Sequence, residues 1–71
     1  MTTITFKIVE LGAVLEQQNK GWNVEINKVS WNGNPARWEV RPWDATHERC
    51  GKGIALSDAA LKNLAEFIAH M

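Results

Sequence analysis

The stretch Gly21–Trp43, GWNVEINKVSWNGNPARWEVRPW, limits what this chain can become more than any other part of it. It holds all four tryptophans, Trp22, Trp31, Trp38 and Trp43, with Lys28, Arg37 and Arg41 set among them. Asn32-Gly33-Asn34-Pro35 in its middle reads as a turn. Two tryptophan-bearing strands joined by a tight connection make a hairpin. Such a hairpin needs an apolar cover on one side, and its other side is free to meet a partner.

The 71 residues suffice for one small domain, spanning 1–71. A chain of this size buries only about 60% of its unfolded surface, so association is a common remedy. The single cysteine, Cys50, rules out an internal disulfide and fits a reducing, cytoplasmic setting. The opening MTTITFKIVE alternates polar and apolar residues, the pattern of neither a signal peptide nor a membrane anchor. Net charge is zero, which argues against a polycation that coats duplex DNA. Basic residues are concentrated in the middle. Residues 17–56 carry Lys20, Lys28, Arg37, Arg41, Arg49 and Lys52 against Glu25, Glu39, Asp44 and Glu48.

Residues 3–16 alternate, with Ile4, Phe6 and Ile8 on one parity and Leu11, Ala13 and Leu15 on the other. Since strand side chains repeat every two residues, the change of phase predicts a bulge, with Gly12 as its place. Gln17–Gly21 reads as a polar turn with positive φ at Gly21. A strand follows over Trp22–Trp31. Its apolar parity switches between Ile26 and Val29, so it either bulges near Asn27-Lys28 or is partly covered on both faces. Arg37–Trp43 divides cleanly: Trp38 and Val40 point one way, and Arg37, Glu39, Arg41 and Trp43 the other. Asp44–Gly51 is a loop, and Ile54 and Leu56 mark a short strand. Ser57 is a helix N-cap with Asp58 in the first turn. Leu61, Leu64, Ala65 and Ile68 then recur at helical spacing, widened by Ala60, Phe67 and Met71. Strands followed by one helix make an α+β chain. The wide stripe predicts a homodimer, with Leu61, Leu64, Phe67 and Ile68 at its interface.

No catalytic constellation is evident. Gly51-Lys52-Gly53 lacks phosphate-loop spacing. His47 and Cys50 resemble half a metal site, but no second pair follows and a closed zinc site takes about four ligands. The same two residues make a weak case for a thiol nucleophile and its base. No enzyme, cofactor, metal or small-molecule substrate is therefore expected. What remains is aromatic and cationic residues alternating on one strand face. Bases of a single strand stack on such rings while lysine and arginine follow the phosphates. The plainer alternatives are tryptophans that fill the core or a dimer interface, arginines paired with Glu25 and Glu39, and a face that receives another protein's strand.

Several runs carry a resemblance: Asn19-Lys20-Gly21-Trp22, Asn27-Lys28-Val29-Ser30-Trp31-Asn32, Arg41-Pro42-Trp43-Asp44 with His47-Glu48, and Gly51-Lys52-Gly53-Ile54-Ala55-Leu56-Ser57. Together, from about Phe6 to Ile68, they resemble the bacterial YdbC-like proteins, single-domain relatives of the eukaryotic transcriptional coactivator positive cofactor four. The resemblance implies a curved four-stranded antiparallel sheet followed by one C-terminal helix, paired as a homodimer. It implies binding of single-stranded DNA with little sequence preference, in transcription, replication or repair, with RNA left open. The family's turn lysine falls on Lys20, its next basic residue on Lys28, its stacking tryptophan on Trp31, and the lysine before its last strand on Lys52. Asn19 stands where the eukaryotic members have an aromatic residue, and Trp22 where they have a basic one. Arg37, Arg41 and Trp43 join the expected nucleic-acid surface from their alternation alone.

Overall fold

The computed structural model describes residues 5–71. Four strands, β1 (Phe6–Gln17), β2 (Asn23–Trp31), β3 (Arg37–Trp43) and β4 (Ile54–Leu56), lie side by side in chain order, each antiparallel to the next. One helix, α1 (Asp58–Ala69), follows. Short turns join the first three strands of this meander, and the loop 44–53 joins β3 to β4. Between β1 and β2 the chain turns through Lys20 (φ 62°) and Gly21 (φ 79°), both left-handed. Between β2 and β3, Asn32 (φ 52°) and Gly33 (φ 77°) are the central residues of a turn closed by Asn34 N–H donating to the Trp31 carbonyl at 2.9 Å. Positive φ at both central positions is the type I′ arrangement that Asn-Gly favours.

β1 departs furthest from the sequence reading. One bulge was expected at Gly12, but the register with β2 slips three times, leaving Val9, Gly12 and Leu15 without partners. Each extra residue adds local twist. The slips also move Leu11 and Ala13 to opposite faces, because Leu11 registers with Asn27 and Ala13 with Ile26. Gly12 leaves no room for a side chain. A Cβ there would stand 2.1 Å from the Ile26 carbonyl oxygen, and the Gly12 N–H donates to Asn27 Oδ1 at 3.0 Å. Ile4, placed on β1 by the alternation, lies outside the described residues.

β2 has no bulge against β3, where seven consecutive residues pair without a break. The other expectation for β2 holds: both its faces are partly covered. Residues opposite one another share a face. On one side are Glu25, Asn27, Val29 and Trp31 of β2 with Arg37, Glu39, Arg41 and Trp43 of β3. On the other are Val24, Ile26 and Lys28 with Trp38 and Val40, continued by Ile54 and Leu56.

Helix α1 contacts β3 and β4. Ser57 caps it, its hydroxyl accepting from Ala60 N–H at 3.1 Å. No helix residue is buried: Leu61 is half-buried, while Leu64, Phe67, Ile68 and the following Met71 are 41%, 67%, 56% and 87% exposed. Among the described residues only Val29 and Trp43 are buried hydrophobics. No helix among them is long and apolar enough to cross a membrane.

Candidate nucleic-acid interface

The face bearing Trp31 is concave. Trp43 pairs with Asn23 at one end of β2, and Trp31 lies at the other. Eight residues of straight strand separate such positions by about 26 Å. Yet the two indoles lie 6.4 Å apart between centroids and 13° from parallel. Even with both side chains reaching inward, the sheet must curl to bring them together. Phe6 leans on both rings, at 5.3 and 5.2 Å.

Trp43 is the buried centre of this cluster, at 0% exposure. The alternation placed it correctly beside Arg37 and Arg41, but that face is not open at its position. Phe6, Trp31 and the His47 ring, 5.8 Å away, crowd around it. Trp43 therefore supports the surface and offers no ring face for stacking. Trp31 is half-buried and does reach the surface.

Arg41 also changes role. Its Nε donates to Glu39 Oε1 at 2.8 Å and its Nη2 to Glu39 Oε2 at 3.2 Å. Its Nη1 donates to the Gly51 carbonyl at 2.9 Å. The guanidinium lies 4.9 Å from the centroid of Trp31. Burial works to lower the Arg41 pKa, but hydrogen bonding to Glu39 and its charge outweigh that, and the net direction is up. Its guanidinium is engaged inside the fold with Glu39, the Gly51 carbonyl and the Trp31 ring, and it holds those groups in place. Glu39, 2% exposed, also accepts from Trp31 Nε1 at 3.0 Å. One buried carboxylate thus fixes both the cation and the indole, a charge-assisted bidentate arrangement of the strong kind.

A second polar group lies toward β1. Glu25, 5% exposed, accepts from Asn27 Nδ2 at 2.9 Å, and its Oε1 is 2.8 Å from His47 Nε2. His47 reaches it from a left-handed backbone, φ 59°. Asp44 ties this loop together, its Oδ1 accepting from the N–H groups of Glu48 and Arg49 at 2.9 and 3.1 Å. Those backbone bonds, Arg49's first, hold the Asp44 carboxyl below its ordinary range against a smaller opposing effect of desolvation. His47 and Cys50 are engaged separately: Cys50 Sγ lies 3.9 Å from Arg41 Nη1. Among the described residues no three His, Cys, Asp or Glu side chains gather as a metal site would require.

The expected cations do not share one surface. Arg37 is exposed on the Trp31 face. Lys28 registers with Trp38 and Glu10, so it lies on the opposite face, because it is three residues from Trp31 and strand parity alternates. Lys20 is exposed in the first turn, with half-buried Trp22 just after it, and Lys52 is exposed before β4. The Lys20 turn abuts the His47 loop, since a Cβ on Gly21 would sit 3.6 Å from that of Ala45.

Beside Trp31 opens a cavity of about 360 Å³, walled by Val29, Trp31 and Ala55 and edged by Asn34, Arg37 and Glu39. A smaller one of about 250 Å³ lies between Leu11–Val14 and the Glu25–Asn27–His47 group. Sequence reasoning missed Glu25, Asn27 and Glu39 as interior residues. Their parity with Val29 and Trp31 was the available signal, and it was read for apolar residues alone.

No family model matches the chain. It is similar to an uncharacterized protein of Treponema pallidum (strain Nichols), 27% identical over 66 residues that span 93% of this chain and 78% of the relative.

Proposed function

We propose that this protein binds single-stranded nucleic acid without strong sequence preference, through the Trp31 face and working as a homodimer. The observation that carries the reading is the cavity beside Trp31. Its indole wall is locked by Glu39 and backed by Arg41, while Arg37 at the rim is exposed. A fixed ring beside an exposed cation suits a stacked base and its backbone. Duplex DNA presents no base faces to such a ring. The exposed lysines Lys20 and Lys52 extend the path, and Trp43 and Arg41 maintain its shape.

The homodimer follows from what one chain leaves uncovered. Among the described residues two buried hydrophobic side chains make a poor core, and α1 leaves Leu64, Phe67 and Ile68 in water. Apolar surface of that kind on a soluble protein marks an interface. A second copy covers it with the same stripe, as twofold symmetry requires. The resemblance supports both proposals and implies work in the cytoplasm on melted DNA during transcription, replication or repair.

Titration with oligothymidine tests the reading. Binding should quench tryptophan fluorescence, chiefly that of Trp31, and weaken as salt rises. Trp31→Ala should weaken binding by about 1–3 kcal/mol, the range for one stacked base. Absence of binding to any labelled single strand at low salt refutes the proposal. Salt-tolerant capture of a protein strand on the same face would replace it.

A further inference from the structure

The cavity beside Trp31 is more than a flat stacking platform, and its polar edges are not alike. Arg37 brings a guanidinium fork that donates only. Glu39 brings a carboxylate that accepts only. Glu39 Oε2 already receives Trp31 Nε1 and Arg41 Nη2, whereas Oε1 receives only Arg41 Nε from those two residues. A carboxylate offers about four lone-pair sites, so among the described residues one on Oε1 has no donor. Asn34, in the turn above, offers an amide with both a donor and an acceptor end. Val29, Trp31 and Ala55 supply apolar walls.

From this pairing of opposite edges we infer that the cavity takes one guanine base of the bound strand, so that Arg37 and Glu39 give the protein a local base preference. The inference rests on the single-strand reading above and adds a determinant within it. Guanine presents the acceptors O6 and N7 on one side, which suit an arginine fork, and the donors N1–H and N2–H₂ on the adjacent side. It is also a purine, with a broad surface to lie along the part of the Trp31 indole that walls the cavity, beside the Arg41, Phe6 and Trp43 contacts that ring already makes. Thymine fits worst, because two carbonyls flank its one ring N–H and turn acceptors toward Glu39. Adenine offers the fork no O6. Cytosine can give its amino group to Glu39, but it brings less surface to the ring.

The test compares oligothymidine with the same strand carrying one central dG, dA or dC, followed by tryptophan fluorescence. The dG strand should bind about tenfold tighter than oligothymidine, within the range that one well-made base contact supplies. Two analogues probe each edge without touching the protein. 7-deazaguanine, lacking N7, should lose most of the advantage, and inosine, which lacks N2–H₂ but keeps N1–H, should lose less of it. Arg37→Lys keeps the charge but not the fork, so it should shrink the ratio of dG to oligothymidine affinity.

Equal affinity for all four strands, or a dC or dA strand matching dG, overturns the guanine assignment and leaves single-strand binding standing. Binding to none of them overturns both. Guanosine monophosphate alone should compete weakly. Competition equal to that of the dG strand would make this a free-nucleotide site and would also overturn the assignment.

Discussion

Removing the Arg41 side chain is the sharpest probe of how this face is built. Glu39 is 3% exposed at its side chain and Arg41 19%. In Arg41→Ala the carboxylate stays where it is and keeps only the Trp31 indole N–H among these contacts. Breaking a buried ion pair by deleting one partner costs about 3–5 kcal/mol, because the other charge is left uncompensated. The contact over the Trp31 ring adds about 0.5–1 kcal/mol. A domain of this length has total stability of roughly 4–11 kcal/mol, so the variant should be marginal or unfolded. Urea denaturation at matched protein concentration measures the loss. Replacing both members, Arg41→Met with Glu39→Leu, removes the stranded charge and should recover most of the stability. The salt dependence of strand binding supplies the second readout. Each phosphate contact adds about 0.7 to the logarithmic salt slope for single strands. At a salt and temperature where the variant still folds, Arg41→Ala should weaken binding with its slope unchanged, while Arg37→Ala should lower the slope. A loss under about 1 kcal/mol together with a reduced slope for Arg41→Ala would refute the interior role, making Arg41 a solvated phosphate contact.

Trp43→Ala should cost about 3–5 kcal/mol, the usual figure for emptying a buried aromatic site, yet leave the amplitude of strand-induced quenching nearly intact. A lost quenching signal in folded protein would place Trp43 at the surface. Gly12→Ala drives a Cβ into the Ile26 carbonyl and should destabilise by about 1–3 kcal/mol, visible as a lower urea midpoint. Asp44 gives a pH signature with a definite sign. Its folded-state pKa is lowered, so its contribution is complete above the ordinary 3.8 and is lost as pH falls through the lowered value. Amide exchange at Glu48 and Arg49 should therefore rise in acid below that range, and Asp44→Asn should flatten the rise.

The sequence made some elements legible because one local signal decided each. Ser57 before an amphipathic stripe fixed the start of α1, and Arg37–Trp43 matched β3 to the residue. Asn32-Gly33 fixed the turn between β2 and β3 through backbone preference alone. β1 was harder. A slip every third residue imitates a simple change of phase, and three such slips are hidden when apolar and polar residues alternate irregularly. The site was legible in part. Parity placed Trp31, Arg37, Arg41 and Trp43 on one face but carried no information on curvature. Curvature decides that Trp43 is enclosed while Trp31 reaches the surface. Lys28 came from the resemblance alone, and the unbroken pairing of β2 with β3 puts it on the face opposite Trp31.

The polar interior explains why fold and proposed function share residues. Most small domains stabilise a sheet by covering one face with apolar side chains. Here the concave face holds Glu25, Asn27 and Glu39 beside the buried Val29 and Trp43, each polar group satisfied by a neighbour and each holding something in place. Asn27 holds the β1 bulge, Glu25 the His47 loop, and Glu39 the Trp31 ring. Buried polar groups stabilise little in net terms but fix geometry, since each alternative arrangement leaves a group unpaired. Such a face can stay concave and keep an indole at a set angle without a ligand present, so less ordering cost falls on binding. On the proposed reading a second copy adds apolar burial, and the exposed side chains of β1, β4 and α1, Leu11, Ile54 and Phe67 among them, are the surface open to it.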